Sequence, residues 1–242
     1  MSNRHPSPRD AAVRPHAAET PRARRWNKIL RLFTERGYAY RVIRGRVYGF
    51  MRNTLKMAAP MLTEDRRVLE QIIFKHYRGD SCIRTVLFVG CDSYTAHYQR
   101  RYFAAHDYWT IDPDASLRRF GATQHVIAPL QELGRHFPSE FFDLIICNGV
   151  YGWGLDSAED FDAAMAQCHS CLTEGGHMLL GWNDVPGRDP APLEQVRSLS
   201  CFAQYSLPAL GAPRHLTNTL NRHTYCFYQK KQVAAGPAGL VP

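Results

Sequence analysis

Three short apolar runs decide the fold: RTVLFVG at residues 84–90, FFDLIICNG at 141–149 and HMLLGW at 177–182. Each run is rich in β-branched, leucine or aromatic residues and is nearly continuous in apolar character. This pattern is typical of central strands in a parallel sheet, which are buried on both faces. The first two runs end at glycines, where the chain is expected to turn towards a helix.

Further strands and helices alternate with these runs. Ser157 is a candidate N-cap for the last helix, with Asp160 three positions on, and the Gly175-Gly176 pair is expected to end that helix. The predicted strands are DYWTID at 107–112, QHVIA at 124–128 and NRHTYCFYQKK at 221–231, and the predicted helices cover 94–105, 115–121, 130–137 and 157–172. The segment 199–207 fits a strand or a helix. Such alternation predicts an α/β fold with a doubly wound, mostly parallel sheet.

Charge divides the chain into a basic front and a nearly neutral body. Residues 1–60 hold 14 Lys and Arg against 3 Asp and Glu, whereas the remainder holds 16 against 19. A second predicted boundary follows Pro60, where Thr63 is a candidate N-cap for another helix. The domain prediction is a disordered basic tail at 1–25, a helical N-terminal extension at 26–78, the α/β domain at 79–232 and a flexible C-terminal tail at 233–242.

The N-terminal extension admits three interpretations. Its apolar residues at 26, 29, 30 and 33 fit one helix face, so it can be a pair of helices that packs on the body with a solvated arginine face. It can also be a lid that brings arginines to an acidic substrate or a phosphate; the candidates are Arg41, Arg44, Arg46 and Arg52. Nucleic-acid binding is the third interpretation.

Composition excludes several classes of protein. With 45% hydrophobic and 21% charged residues, the chain is not a wholly disordered protein, a collagen or a coiled-coil rod. Its 7 cysteines are odd in number and scattered, which predicts reduced thiols and a cytoplasmic location. The sequence has no apolar window long enough for a membrane span and no apolar N-terminal signal segment.

Residues that follow the strands are the candidates for a ligand site, because ligands of such sheets bind at the carboxyl ends of the strands. Gly90 follows the first strand, and Asp112 follows the second, 22 residues later. This separation is typical of a carboxylate that binds a ribose diol, although Asp-Pro-Asp is also good turn chemistry. The loop at 148–154 combines three glycines with Tyr151 and Trp153. This composition fits either a functional loop or a flexible connector.

The sequence lacks the motifs of a metal site and of a dinucleotide site. Cys168-His169-Ser170-Cys171 has metal-like spacing but no second ligand pair, so no metal site is predicted. A dinucleotide site needs three glycines in G-x-G-x-x-G, and the loop after the first strand has one, which argues against NAD.

Four stretches together resemble motifs of the class I S-adenosylmethionine-dependent methyltransferases: VLFVGCDSYT, the Asp112 position, FDLIICNGVYGW and LTEGGHMLLGW. The resemblance covers residues 84–183, and HTYCFYQKK is similar to the last, antiparallel strand of that seven-stranded Rossmann-like fold. The chain departs from the family pattern where Phe88 replaces an acid and where Asp92 and Tyr94 replace glycines. Ala128-Pro129-Leu130 stands where an acid often follows the third strand.

The resemblance implies transfer of a methyl group from S-adenosyl-L-methionine, and we expect a small-molecule acceptor that can be acidic. The alternatives are a nucleic-acid methyltransferase that uses the basic front and a non-catalytic cofactor-binding module. The implied cofactor-binding residues are Val89, Gly90, Cys91, Asp92, Tyr94, Asp112, Pro129, Leu130 and Asn148.

For the acceptor side we predict an aromatic-walled pocket. Its substrate-binding residues are Tyr151, Trp153, Trp182 and Asn183. The rings of Tyr94, Tyr151 and Trp153 are expected to face the positive sulfonium. The catalytic residues are not identified by the sequence; His97 and Asp156 are the candidates for a general base. No statement on the oligomeric state follows from the sequence.

Overall fold

The computed structural model describes residues 63–186 and 191–231. The predictions made for residues 1–62 and 232–242, including the basic tail and the lid arginines, lie outside the described residues. Within the described ranges, no helix is both long enough and apolar enough to cross a bilayer.

A single mixed sheet forms the centre of the structure. Its strands are β1 (Thr85–Val89), β2 (Asp107–Ile111), β3 (Gln124–Val126), β4 (Phe142–Asn148), β5 (Leu172–Asn183), β6 (Phe202–Gln204), β7 (Arg214–Leu216) and β8 (His223–Lys230). The order is β3-β2-β1-β4-β5-β8-β6, with β7 also paired to β8. The strands from β3 to β5 are parallel, and β8 is antiparallel to β5.

This topology confirms the doubly wound, mostly parallel sheet. Within the described residues the sheet has eight strands, one more than the expected seven, because the three-residue strand β7 and the strand β6 both pair with the outer side of β8. The segment 199–207, which fitted either a strand or a helix, contains both: a 3-10 helix ends at Cys201 and β6 begins at Phe202.

Helices cover both faces of the sheet. They are α1 (Glu64–Val68), a π-helical turn (Leu69–Ile73), α2 (Phe74–Gly79), α3 (Tyr98–Tyr102) and α4 (Ala158–Cys171). The segments predicted as helices at 115–121 and 130–137 are 3-10 helices, Ala115–Phe120 and Leu130–Arg135. Short connectors of this kind favour the tighter 3-10 form. The Ser157 hydroxyl accepts a hydrogen bond from the Asp160 N–H at 3.0 Å, which confirms the predicted N-cap of α4.

The Gly175-Gly176 pair has a different place from the predicted one. The helix α4 ends at Cys171, and the next residue already pairs with β4, so the two glycines lie inside β5. Gly175 has a φ of +75°. The pairing with β4 shifts register across this point, and the bulge lets β5 resume at His177.

Alternate residues of the central strands enter two separate cores. In β1, Leu87 and Val89 belong to the core under α4, whereas Val86 and Phe88 belong to the core under α1, α2 and α3. All four side chains are at most 4% exposed. Strands buried on both faces fix the sheet rigidly, so the loops at its carboxyl edge start from well-defined positions.

Candidate functional site

A cavity of about 300 Å³ opens at the carboxyl ends of β1, β2 and β4. This is the edge at which ligands of doubly wound sheets bind. All nine residues proposed from the sequence as cofactor-binding line the cavity: Val89, Gly90, Cys91, Asp92, Tyr94, Asp112, Pro129, Leu130 and Asn148.

The loops after β1 and β4 approach each other closely at Gly90. Gly90 has a φ of +82°, a conformation that L side chains rarely adopt. A Cβ atom at this position would lie 2.9 Å from Cγ1 of Val150. A side chain here would therefore push the two loops apart and occupy space beside the cavity.

The Asp112 carboxylate is buried and oriented by two backbone groups. Its Oδ2 accepts a hydrogen bond from the Cys91 N–H at 2.7 Å, and its Oδ1 accepts one from the Asp114 N–H at 2.8 Å. The side chain belongs to a residue that is only 6% exposed. Each carboxylate oxygen keeps a further acceptor site, so the group fits a diol that donates two hydrogen bonds.

Short polar side chains hold the loop after β1, which has few glycines. The Asp92 Oδ1 accepts from the Ser93 hydroxyl at 2.8 Å and also from the Ser93 N–H. The Asp92 N–H donates to the Thr95 hydroxyl at 3.0 Å, and the Thr95 hydroxyl donates back to the Asp92 carbonyl at 2.9 Å. This turn occupies the start of the helix predicted over 94–105, which shortens that helix to α3.

Asn148, at the end of β4, belongs to a buried polar relay that sequence reasoning missed. The ring of His223 contacts the Asn148 Oδ1 through Nε2 at 3.0 Å and the Asn183 Oδ1 through Nδ1 at 2.8 Å. Burial lowers the pKa of His223 to about 4, so the ring is neutral at pH 7 and one ring nitrogen donates while the other accepts. One of the two amides must therefore turn its N–H to the ring.

Gly181 makes room for this relay. A Cβ atom at Gly181 would overlap the Asn148 amide and come within 3.0 Å of the His223 Nε2. The relay forms because β8 is antiparallel to β5, which brings the first residue of β8 to the carboxyl edge of the sheet. The sequence signal for it was the position of His223 at the start of the last strand.

The aromatic side chains predicted to wall the acceptor site separate into two groups. Trp153 lines the cavity and is 53% exposed. Tyr151 is fully buried, with its ring centroid 4.3 Å from that of Phe161 and 5.5 Å from that of Trp182. Tyr151 and Trp182 therefore belong to the core under α4, and the predicted three-ring wall needs correction.

The physical reason is the turn of the loop after β4. Tyr151 forms a bridge with Leu155, and this turn carries the Tyr151 ring inwards, where its hydroxyl donates to the Ala191 carbonyl. Trp153, at the tip of the same turn, points towards the cavity. Asn183, also predicted to bind substrate, is the second amide of the His223 relay.

The two candidates for a general base are engaged elsewhere. His97 precedes the first residue of α3, and its Nε2 lies 3.8 Å from the Glu70 Oε2. Asp156 is exposed and accepts from the Gly154 N–H at 3.1 Å. The described residues that line the cavity include neither of them.

Thiols beside the cavity are not nucleophiles. Burial and the neighbouring Asp112 carboxylate raise the pKa of Cys91 to about 11, and burial raises the pKa of Cys147 to about 12. Both thiols are therefore protonated at neutral pH. Across residues 63–186 and 191–231, no group of three or more His, Cys, Asp or Glu side chains is arranged to hold a metal ion.

Comparison with known proteins agrees with this geometry. Residues 87–180 match the profile of a family described as a methyltransferase domain. Among curated proteins, none matches the chain.

Among solved structures, the fold is similar to that of the N-methyltransferase NodS from Bradyrhizobium japonicum WM9. One NodS crystal structure has a TM-score of 0.52 at 13% identity and covers 69% of this chain and 97% of that chain. A second NodS crystal structure, in complex with S-adenosyl-L-homocysteine, has a TM-score of 0.53 at 12% identity. This match covers 70% of this chain and 89% of that chain. At such identities the likeness concerns the fold alone.

Proposed function

We propose that the chain is a class I S-adenosylmethionine-dependent methyltransferase, since residues 87–180 match a methyltransferase domain, and that its methyl acceptor is a small molecule. The observation that carries this proposal is the cavity of about 300 Å³ at the carboxyl ends of β1, β2 and β4. Its walls combine apolar side chains with a few convergent polar groups, chiefly Asp92, Asp112 and Asn148. This composition is usual for small-molecule sites.

We assign the cofactor's parts to the cavity by the chemistry of its walls. Asp112 would hold the ribose hydroxyls, because its buried carboxylate is already oriented by the Cys91 and Asp114 N–H groups. The glycine at position 90 would allow the methionine portion to pass close to the backbone. Pro129 and Leu130 would contact the adenine ring through apolar surface.

Asp92 would take the ammonium group of the cofactor. The family's usual acid is replaced by Phe88, which is buried in the core and carries no charge. Asp92 lies four residues later and lines the cavity. A carboxylate there supplies the negative charge that the usual position lacks.

The cofactor, when bound, supplies a methyl group that its sulfonium charge has already activated. The task of the chain's own residues is then to orient the acceptor and exclude water. Asn148 is suited to orienting an acceptor, because the His223 ring fixes its amide. Trp153 would cover the acceptor from the loop after β4. An acceptor that arrives deprotonated, or with a low pKa, needs no general base.

Charge favours a small molecule over a nucleic acid. From residue 61 onwards the chain holds 16 basic and 19 acidic residues, so the part that contains the cavity has no net positive charge for a phosphate backbone. The stretch Asn148-Gly149-Val150-Tyr151 also lacks the Asn/Asp-Pro-Pro-aromatic run of base-methylating enzymes.

Transfer from methyl-labelled cofactor tests the proposal. The full chain is incubated with labelled S-adenosylmethionine and a cell extract, and the label is followed in the small-molecule, nucleic-acid and protein fractions. The Asp112→Ala variant serves as the control for cofactor-dependent labelling. We expect label in the small-molecule fraction. Label that disappears after nuclease treatment would contradict the proposal, and the absence of label in every fraction, with S-adenosylhomocysteine bound, would indicate a non-catalytic module.

A further inference from the structure

The guanidinium of Arg66 lies beside the cavity, on α1. Its Cζ atom is 4.1 Å from the centroid of the Tyr94 ring, and its Nη1 donates to the Tyr98 hydroxyl at 2.5 Å. Tyr94 itself lines the cavity. Arg66 is not itself among the described residues that line the cavity, but it places a permanent positive charge in contact with one of them.

This charge has no ion-pair partner in the part of the chain that the structure describes. No carboxylate oxygen in these residues lies within 4.0 Å of the Arg66 nitrogens. The Glu70 carboxylate accepts from the Tyr102 hydroxyl at 2.6 Å and lies 3.8 Å from the His97 Nε2. Against the effect of burial, hydrogen bonds from His97 and Tyr102 lower its pKa, and the Arg66 charge contributes. A guanidinium has five N–H donors, and the hydrogen bond to Tyr98 uses one of them.

The surroundings of Arg66 include the acceptor end of the site. Burial lowers the pKa of His223, Asp65 opposes this shift and Arg66 adds to it. His223 in turn holds the Asn148 amide at the end of β4. Because His223 is neutral, it adds no second positive charge and no counter-charge. Among these groups Arg66 carries the permanent positive charge, and the nearby carboxylates of Asp65 and Glu70 interact with it without forming an ion pair in the described residues.

Resting on the proposed function, we propose that Arg66 binds an anionic group of the methyl acceptor, so that the acceptor is a small molecule with a carboxylate or a phosphate. The planar guanidinium fork matches both anions with two parallel hydrogen bonds. A partly desolvated cation without an ion-pair partner is costly, and an anionic acceptor supplies that partner. The aromatic ring of Tyr94 keeps the guanidinium plane in place for this contact.

A purely structural role is the competing account. Arg66 also connects α1 to the loop after β1 and to α3, through Tyr94 and Tyr98. On that account, loss of Arg66 destabilises the fold and is indifferent to the charge of a ligand. Discrimination between a charged and a neutral ligand of the same shape separates the two accounts.

The experiment measures binding of benzoate, phenyl phosphate and benzamide to the full chain saturated with S-adenosylhomocysteine. The variants are Arg66→Met, which removes the charge but keeps an unbranched apolar stem, and Arg66→Lys, which keeps the charge without the fork. Arg67→Met is the matched control, since Arg67 is the next residue on α1 and is exposed. Affinity for S-adenosylhomocysteine and the melting temperature are measured on each variant.

We expect at least one of the two anions to bind the wild type about tenfold more tightly than benzamide. Arg66→Met abolishes this preference, Arg66→Lys reduces it, and Arg67→Met keeps it, all with unchanged affinity for S-adenosylhomocysteine. The inference is overturned if benzamide binds as well as both anions, if none of the three binds, or if Arg66→Met and Arg67→Met behave alike. Failure to bind S-adenosylhomocysteine would instead overturn the proposed function.

Discussion

The backbone N–H of Cys91 donates a 2.7 Å hydrogen bond to the carboxylate of Asp112, across the carboxyl ends of β1 and β2. This bond joins the two loops that a nucleotide-type ligand must meet together. The loop after β1 has few glycines, and the Asp112 carboxylate with the Asp92–Thr95 turn fixes its path instead. The candidate cofactor site is therefore held by side-chain-to-backbone bonds.

Replacement of Asp112 by alanine should weaken binding of S-adenosylhomocysteine by roughly 1.5–3 kcal/mol, the range for hydrogen bonds to a charged group. The reason is that the carboxylate is the proposed acceptor for both ribose hydroxyls. Titration calorimetry on the wild type and the variant measures the difference.

Asp114→Ala is the matched control, because Asp114 is exposed and its carboxylate accepts from the nearby Ser116, in the 3-10 helix that follows. It should bind S-adenosylhomocysteine as the wild type does. Equal affinities of the Asp112 and Asp114 variants would reduce Asp112 to a turn residue.

A methyl group added at Gly90 should cost more than one added at Gly149. Both glycines have positive φ, +82° and +79°, so alanine pays a similar backbone cost at each. Among the residues that the structure describes, the new Cβ at Gly90 meets Val150, whereas none lies within 4 Å of a Cβ at Gly149. We expect affinity for S-adenosylhomocysteine to fall about tenfold in Gly90→Ala and far less in Gly149→Ala.

The double variant Gly90→Ala with Val150→Ala supplies the internal check. Removal of the Val150 Cγ1 relieves the contact, so part of the lost affinity should return. If the double variant binds no better than Gly90→Ala, the close approach of the two loops is not what makes glycine necessary.

Trp153 and Tyr151 should respond oppositely to truncation. Trp153→Ala should lower turnover about tenfold, which is about 1.4 kcal/mol of barrier, with little change in melting temperature, because Trp153 is 53% exposed at the cavity. Tyr151→Ala should cost about 3–5 kcal/mol of stability, as truncations of buried aromatic residues do. Activity assays and thermal melts on both variants measure this. A large fall in the melting temperature of Trp153→Ala would make Trp153 a core residue.

The buried His223 should make the fold sensitive to acid. Its pKa is lowered to about 4 from an ordinary 6.5, so between these values the unfolded chain binds a proton that the folded chain does not. Stability is therefore lost as the pH falls from about 6.5 to about 4, by up to about 1.4 kcal/mol per pH unit from this group.

His223→Gln should flatten that part of the stability curve, measured as the free energy of unfolding against pH. His136→Gln, on the surface, should leave the curve as in the wild type. A curve for His223→Gln as steep as that of the wild type would show that the Asn148–His223–Asn183 relay contributes nothing to acid sensitivity.

The strands and the cavity were predictable because their signals are local. The apolar runs that became β1, β4 and β5 read directly as buried strands, and the residues that follow parallel strands must meet at one edge. Gly90 and Asp112 could therefore be placed beside each other, because each follows one of two neighbouring parallel strands.

The remaining features depend on geometry that a linear pattern does not carry. Asn148 and His223 are 75 residues apart and meet only because β8 runs antiparallel. Tyr151 and Trp153 are both aromatic residues of the loop after β4, so the sequence does not distinguish them. The turn at the end of β4 decides which of the two rings is buried. The Gly175-Gly176 pair predicts the end of a helix, but in the structure the positive φ of Gly175 belongs to a bulge in β5.

Titration calorimetry of the full chain with S-adenosylhomocysteine, alongside NAD, tests the central claim most directly. The account predicts saturable binding of one S-adenosylhomocysteine per chain and no heat with NAD, because the cavity has the Gly90–Asp112 pair and lacks the dinucleotide glycines. Heat with NAD and none with S-adenosylhomocysteine would contradict it.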